Sequence, residues 1–297
     1  MLMKRVAIMG LGLMGGSLGL ALRSKGAGVR VVAYARRAEI RSLALSIGAA
    51  DEVYEEPERA VEDADMVVFC VPILSIVGLV ERCRAALKRG CVVTDVGSTK
   101  STLVKAIREC LAGTPACFIG SHPVAGSEQQ GLDAARTDLY EGAVTVVTPE
   151  GDEPAGALEA LRRFWEKVGS VVHEMSPEEH DRIMARTSHL PHVMAAVLAS
   201  TVGRDGDMLK TGSFCGPGFR DTTRVSEGSP AVWHDILRSN AKHVADEIRA
   251  YQAELEKLSR MMDKGDFEGV RKFLGESRDR RRSLLAGRQA EEQRGDS

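Results

Sequence analysis

The stretch Gly10-Leu11-Gly12-Leu13-Met14-Gly15 decides the fold of this chain. It directly follows the apolar run from Arg5 to Met9 and opens a segment, Leu13 to Ser24, whose apolar residues recur at helical spacing. In such a strand-to-helix turn the first glycine permits the turn, the second lets a pyrophosphate approach the backbone, and the third lets helix and strand pack closely. The turn therefore predicts a dinucleotide site. The residues expected to contact the cofactor, on this turn and at neighbouring strand ends, are Gly10, Gly12, Leu13, Met14, Gly15, Val71, Pro72 and Ser98.

The end of the second predicted strand bears on which dinucleotide binds. That strand runs from Val29 to Tyr34, and Ala35 stands where a carboxylate would be expected to bind the ribose 2′-hydroxyl of NAD. Arg36 and Arg37 come next, and guanidinium groups can hold a 2′-phosphate. The pattern favours NADP. NAD is the alternative if the two arginines only face solvent at the start of the next helix.

Short β-branched runs alternate with helical patterns through the first half of the chain. The predicted strands are 5–9, 29–34, 66–71, 91–95, 117–120, 143–148 and 170–173. This alternation predicts an α/β fold with a mostly parallel, doubly wound sheet of the Rossmann type.

The strand signals stop after Met175, and an all-helical part is predicted from there. Ser176-Pro177-Glu178-Glu179 has the form of a helix N-cap followed by a proline and two acids in the first turn. Long apolar-periodic stretches follow at about 177–204, 230–262 and 266–286. We expect a dinucleotide-binding domain over 1–175, a helical substrate and dimerisation domain over 176–290, and a disordered tail over 291–297.

Composition narrows the class of protein. The 297 residues carry a formal net charge of -2, which provides no basic field for binding nucleic acid. The six cysteines show no metal-ligand spacing and indicate reduced thiols in the cytoplasm. No targeting segment or membrane span is expected. A small-molecule substrate is the remaining expectation.

Two further segments carry candidate chemistry at the carboxyl edge of the sheet. Residues 95–100 follow a predicted strand, and Ser98 there is interpreted either as a helix cap or as an active-site residue, or as both. The run 120–128 places His122 at the same edge. A histidine there can accept the proton of a substrate hydroxyl as hydride leaves the adjacent carbon.

Together these motifs resemble the prephenate and arogenate dehydrogenase family of tyrosine biosynthesis, over residues 4 to about 275. The segments that carry the resemblance are GLGLMGGSL at 10–18, DVGSTKS at 95–101, GSHPVAGSE at 120–128, TSHLPH at 187–192 and GFRDTTR at 218–224. The resemblance implies an oxidative decarboxylation that aromatises the substrate ring and yields 4-hydroxyphenylpyruvate or tyrosine. The sequence does not decide between the two substrates.

The resemblance also assigns roles to individual residues. It implies that His122 hydrogen-bonds the substrate hydroxyl, that Ser98 orients that hydroxyl and the nicotinamide, and that Arg224 binds a substrate carboxylate. A planar guanidinium suits a dianionic substrate. The further residues that it places on the substrate side of the cleft are Ser127, Glu128, His189, His192, Asp221 and Trp233. Alternatively, His189 and His192 are packed core histidines, and Trp233 serves only in helix packing. No metal is expected at the histidine pair.

Two other classes of protein compete with this interpretation. The β-hydroxyacid dehydrogenases share the glycine turn and the segment 95–99, but they would require a catalytic lysine where this chain has Gly216-Pro217-Gly218-Phe219-Arg220. A dinucleotide-sensing module without catalysis would not need His122, Ser98 and Arg224. The amphipathic helical part and the family resemblance both predict a homodimer.

Overall fold

A six-stranded parallel sheet forms the first part of the fold in the computed structural model, which describes residues 3–26, 28–126 and 129–295. Its strands are β1 Arg5–Met9, β2 Arg30–Tyr34, β3 Glu52–Tyr54, β4 Met66–Phe69, β5 Val92–Asp95 and β6 Cys117–Phe118. Their order across the sheet is β3-β2-β1-β4-β5-β6, and every neighbouring pair is parallel. This is the order of a Rossmann fold, so the predicted fold class is confirmed.

Helices cover both faces of this sheet. They are α1 Leu13–Ser24, α2 Ala38–Ser46, α3 Pro57–Val61, α4 Ile73–Cys83 and α5 Ser101–Leu111. Successive residues of β1 enter opposite cores: Val6 and Ile8 pack in one apolar cluster, while Ala7 and Met9 pack in the other. Burial on both faces explains why these strands read as nearly continuous apolar runs.

A second, three-stranded sheet continues from the first and differs from the expectation. The run predicted as one strand over 117–120 is divided at Ile119 between β6 and β7 Gly120–Pro123. Strand β7 pairs antiparallel with β8 Val144–Thr148, which pairs parallel with β9 Val171–Glu174. Helix α6, Ala157–Lys167, lies between β8 and β9 in the chain. The three-residue strand β3 was not predicted, because it is too short to show an alternating pattern.

The remainder of the chain is helical, as predicted. The segments are α7 Pro177–Met184, a π-helical turn Ala185–His189, α8 Leu190–Val202, α9 Met208–Ser213, α10 Pro217–Thr223, a 3₁₀ turn Arg224–Glu227, α11 Pro230–Ser239, α12 Ala241–Asp263 and α13 Phe267–Gly295. Helix α7 begins as expected, because the Ser176 hydroxyl accepts a hydrogen bond from the Glu179 amide at 3.2 Å.

The chain forms two compact units, which divide after Ala241. In the second unit, the Lys257 ammonium of α12 lies 5.7 Å from the ring centroid of Phe273 in α13. Helix α13 continues to Gly295, into the segment for which disorder is predicted. The domain boundary after 175 and the disordered tail stay predictions. Within the described ranges, no helix is both long and apolar enough to cross a membrane.

Candidate active site

The glycine turn between β1 and α1 has the form that a bound pyrophosphate requires. Gly10 has φ +116°, and a Cβ on it would meet Val71 at 2.6 Å. A Cβ on Gly15 would lie 1.9 Å from the Gly10 carbonyl oxygen, whereas a Cβ on Gly12 would meet nothing within 4 Å. No side chain caps α1, so its first amides are open to an anion. The open space at this turn is therefore at Gly12, and a nicotinamide dinucleotide fits there.

A cavity of about 510 Å³ opens above this turn. Its lining residues are Gly10, Leu11, Gly12, Tyr34, Ala35, Arg36, Arg37, Ile40, Cys70, Val71 and Pro72. These positions follow the carboxyl ends of β1, β2 and β4, at the point where the strand order reverses. Open α/β sheets bind dinucleotides in that crevice.

Substitution of the two glycines should separate folding from cofactor binding. We expect Gly15→Ala to lower the free energy of unfolding by about 1–3 kcal/mol, because the added methyl overlaps backbone. Gly12→Ala should leave unfolding within about 0.5 kcal/mol of wild type and raise the KM for the cofactor at least about tenfold. Denaturant titration and steady-state kinetics measure the two effects. Gly275→Ala, on α13 with open space around it, is the control, and equal unfolding losses in Gly12→Ala and Gly15→Ala would contradict the assignment.

The end of the cavity next to β2 contains two arginines. Ala35 is buried after β2, and Arg36 and Arg37 are exposed at the cavity edge. The Arg41 guanidinium supports this loop by donating to the carbonyl oxygens of Ala35 at 3.1 Å and Arg36 at 2.7 Å. No acidic residue is among the described residues that line the cavity.

The loop after β5 is held by a buried ion pair that the sequence did not reveal. The Lys100 ammonium contacts the Asp95 carboxylate, and both side chains have no exposed area. Asp95 also accepts hydrogen bonds from the amides of Gly97 at 2.8 Å and Ser121 at 3.2 Å. These contacts join the loop that carries Ser98 to the strand β7 that carries His122.

Ser98 is half-buried within this loop. Helix α5 begins three residues later, at Ser101, and has no side-chain cap of its own. Its first amides are instead bound from α7: the Asp181 carboxylate accepts from Lys100 N at 2.7 Å and from Ser101 N at 2.8 Å. The interpretation of Ser98 as a helix cap is therefore wrong, and its active-site role stays a prediction.

The residue before His122 is fixed by a buried hydrogen-bond cluster. The Ser121 hydroxyl donates to the Asp95 carbonyl oxygen at 2.6 Å and accepts from Trp165 Nε1 at 3.1 Å. Because its only hydrogen is used, the Thr94 hydroxyl at 2.8 Å must donate to it. Strand β7 is thereby fixed next to the carboxyl end of β5.

His122 is the first member of a relay of three buried side chains. Its Nδ1 lies 2.8 Å from Nε2 of His180, and Nδ1 of His180 lies 2.8 Å from the Asp181 carboxylate. His122 is 9% exposed, while His180 and Asp181 are fully enclosed. Burial raises the pKa of Asp181, but the hydrogen bonds from His180 and the two α5 amides outweigh it and lower the pKa overall.

This relay assigns the hydrogens of both rings. A carboxylate only accepts, so His180 carries its hydrogen on Nδ1 and presents Nε2 as an acceptor. His122 must then donate from Nδ1, which leaves the lone pair of its Nε2 for another group. Burial is the main cause of a His122 pKa well below its ordinary value, and electrostatic interactions with the titratable groups of His180, Lys100 and His189 lower it further. The relay therefore presents His122 as a neutral base.

Three of the predicted substrate-side residues form an aromatic cluster. The His192 ring stacks on Trp233 with centroids 3.5 Å apart and planes 10° apart. His189 meets Trp233 edge-on at 6.1 Å and is 1% exposed. A Cβ on Gly228 would lie 2.6 Å from the indole nitrogen, so only glycine admits this tryptophan. Trp233 thus packs against both histidines.

The other predicted substrate residues have different surroundings. Asp221 and Arg224 are exposed, and Arg224 begins the 3₁₀ turn that packs on α8. Ser127 and Glu128 lie outside the described residues. The substrate roles of these four, and of the aromatic cluster, stay predictions.

The sequence alone pointed to neither His180 nor Asp181. A signal was present, because the buried positions of α7 are Pro177, His180, Asp181 and Met184. A histidine and an acid on the apolar face of an amphipathic helix need polar partners. That those partners are His122 and the start of α5 depends on tertiary structure.

The fold and the glycine turn are those of a nicotinamide dinucleotide-dependent dehydrogenase, and the role of His122 as its base stays a prediction. The prephenate dehydrogenase nucleotide-binding domain model matches residues 18–174, and the prephenate dehydrogenase dimerization domain model matches residues 176–276. The chain belongs to the prephenate dehydrogenase family, as the sequence motifs predicted. This membership decides against the β-hydroxyacid dehydrogenase alternative.

Three relatives match this chain along nearly their full length. Cyclohexadienyl dehydrogenase of Zymomonas mobilis is 33% identical over 284 residues, which cover 95% of this chain and 96% of that protein. Prephenate dehydrogenase of Aquifex aeolicus, solved with hydroxyphenyl propionate and NAD+, superposes with a TM-score of 0.87 at 31% identity and covers 95% of this chain and 98% of that one. Synechocystis arogenate dehydrogenase superposes with a TM-score of 0.81 at 28% identity. The match covers 94% of this chain and 99% of that one.

Proposed function

We propose that this chain catalyses the oxidative decarboxylation of prephenate or arogenate, with NADP+ as the preferred oxidant. The observation that carries the proposal is the relay from Asp181 through His180 to His122, which leaves His122 Nε2 as a hydrogen-bond acceptor at the carboxyl edge of the sheet. When the ring carbon that bears a hydroxyl is oxidised, the hydroxyl proton needs such an acceptor.

His122 has two tasks in this mechanism. When bound, the nicotinamide supplies a hydride acceptor for the ring carbon that bears the hydroxyl. His122 Nε2 accepts the hydroxyl proton as this carbon becomes a carbonyl carbon. The bond to the ring carboxylate then breaks, carbon dioxide leaves, and its electron pair moves through the ring to the carbonyl oxygen. His122 returns the proton to that oxygen, so the ring becomes a phenol with no net gain or loss of protons at the histidine.

The other residues bind and orient in this proposal. Gly12 and the start of α1 bind the pyrophosphate, and Ser98 orients the hydroxyl from the loop that Asp95 and Lys100 hold. Arg224 binds a carboxylate of the dianionic substrate. Since Asp181 holds both the start of α5 and the relay, the base and the Ser98 loop stay in fixed positions.

The preference for NADP+ is attributed to Arg36 and Arg37. Both are exposed at the cavity edge after β2, and Ala35 provides no carboxylate that would repel a 2′-phosphate. A 2′-phosphate between two guanidinium groups gains charge-assisted hydrogen bonds that a 2′-hydroxyl does not.

The experiment is a comparison of prephenate and arogenate, each with NAD+ and NADP+, in wild type and in an Arg36→Ala/Arg37→Ala variant. We expect the variant to raise the KM for NADP+ about 10- to 100-fold while the KM for NAD+ changes little. Arg59→Ala, outside the cavity lining, is the control. A wild-type preference for NAD+ would reject the arginine assignment, and turnover of neither substrate would reject the proposed function.

We also propose a cytoplasmic homodimer. Support for the dimer is the match of residues 176–276 to a dimerization domain, and support for the compartment is that all six cysteines are free thiols.

A further inference from the structure

Asn240, directly after α11, connects two parts of the site and has no role assigned so far. Its side chain is buried, with 3% of the residue exposed. One terminal atom lies 2.7 Å from the Asp181 carbonyl oxygen and 3.3 Å from Nδ1 of His189. A carbonyl oxygen can only accept, so this atom is the amide nitrogen Nδ2. Its two hydrogens serve the two neighbours, and His189 Nδ1 is therefore an acceptor.

The acceptor at Nδ1 determines where His189 carries its hydrogen. Burial is the main cause that lowers the pKa of His189 to about 4; His180 and His192 lower it further, and Asp181 opposes them. The ring is thus neutral at neutral pH, and a neutral ring with Nδ1 as acceptor carries its hydrogen on Nε2. Nε2 of His189 is buried and has no hydrogen-bond partner among the residues that the structure describes.

His122 and His189 therefore have opposite tautomers, and both are set from one residue. The Asp181 carboxylate acts through His180 and makes His122 Nε2 an acceptor. The Asp181 carbonyl oxygen holds Asn240, which makes His189 Nε2 a donor. One ring is fixed to take a proton and the other is fixed to offer a hydrogen.

We infer that Asn240 is a positioning residue that holds His189 as an Nε2–H donor, and that this N–H binds a carboxylate oxygen of the substrate. The inference rests on the proposed function. A buried donor without an acceptor costs free energy, which a ligand oxygen can recover. A carboxylate is the strongest acceptor that a dianionic substrate provides, and the substrate hydroxyl is already used by His122.

The tautomer can be observed without turnover. In protein labelled with ¹⁵N-histidine, the His189 signals are identified by their loss in His189→Gln. We expect Nε2 to be the protonated nitrogen in wild type and Nδ1 to be protonated in Asn240→Asp, whose carboxylate accepts. With NAD+ present, 3-(4-hydroxyphenyl)propionate should shift the Nε2–H signal, and 4-ethylphenol, which lacks a carboxylate, should not. A wild-type ring protonated on Nδ1, or equal shifts with both ligands, would overturn the inference.

Kinetics then separate positioning from general structural support. We expect Asn240→Asp to raise the KM for the substrate about 10- to 100-fold with little change in kcat or in the cofactor KM. In the His189→Gln background the same change should have at most about a twofold effect, because a glutamine amide has no tautomer to lose. An equal loss in both backgrounds would show a merely structural role. His234→Asn, on the exposed side of α11, is the control, and thermal unfolding of every variant verifies folding.

The two proposals fail differently. If wild type turns over neither prephenate nor arogenate, the proposed function is rejected, while the ¹⁵N spectra and the two phenolic ligands still decide the tautomer and the carboxylate contact. If turnover is normal and His189 is protonated on Nδ1, only the role of Asn240 is rejected.

Discussion

Replacement of His122 by asparagine should lower kcat about 10²- to 10⁴-fold, which is the contribution expected of a general base. Asparagine suits the test because its amide can still donate to His180 Nε2 as His122 Nδ1 does, whereas nothing replaces the Nε2 lone pair. The cofactor KM and the unfolding midpoint should therefore change little. Steady-state kinetics with a matched control, His234→Asn, measure the effect. Turnover at the wild-type rate in a folded His122→Asn enzyme would remove the base from the mechanism.

The same histidine sets an expected pH dependence. Its base function needs the neutral ring, which exists above the pKa and is lost as the pH falls through it. Burial, His180, Lys100 and His189 all lower the pKa of His122, so kcat/KM should show no decline attributable to this group near pH 6.5. A decline would appear only at lower pH. If kcat/KM of fully folded protein fell to half of its plateau value near pH 6.5, the lowered pKa of His122 in the buried relay would be contradicted.

The stability of the fold should also decrease as the pH falls, because the folded state disfavours protonation of three buried histidines. His122, His180 and His189 all have pKa values below the ordinary value of 6.5. Below about pH 6.5 the unfolded chain binds protons at these histidines that the folded chain does not, so the free energy of unfolding decreases as the pH falls. For His189 this window extends from 6.5 down to about 4. The pH dependence of kcat/KM must therefore be interpreted together with the fraction of folded protein measured at each pH.

Local sequence was sufficient to predict the glycine turn and its steric requirements. One turn has three different steric requirements, and they are met by Gly10, Gly12 and Gly15. Each requirement involves atoms only a few residues away or on the adjacent strand. The division of 117–123 between two sheets was not predictable in this way. It depends on which neighbours β6 and β7 find, Val92 in one case and Thr148 in the other.

The catalytic half depends on partners that are distant in sequence. The sequence marks His122, but His180 is 58 residues away and Asn240 is 51 residues from His189. No local pattern can pair such residues, because tertiary packing alone brings His180 of α7 to His122 and Asn240 to His189. The helix cap shows the same limit: Ser98 lies at a suitable position in sequence, yet Asp181, from another helix, binds the first amides of α5. The sequence of a single chain therefore points to His122 but not to the relay that sets its tautomer.

Replacement of Lys100 by methionine should lower the free energy of unfolding by about 3–5 kcal/mol, because it leaves the Asp95 carboxylate buried without its counter-ion. Methionine has a similar length, so the loss of charge dominates over the loss of volume. The two amide hydrogen bonds that Asp95 accepts from Gly97 and Ser121 remain, but they do not neutralise the charge. Denaturant titration measures the loss.

Lys105→Met, on the exposed side of the same helix α5, is the matched control and should change stability by no more than about 0.5 kcal/mol. Adding Asp95→Asn to Lys100→Met should recover part of the loss, since the buried charge is then removed along with its partner. Because Asp95 joins the Ser98 loop to β7, Lys100→Met should also lower kcat in whatever fraction stays folded. If Lys100→Met were as stable as Lys105→Met, the ion pair could not be what holds the Ser98 loop against the strand of His122.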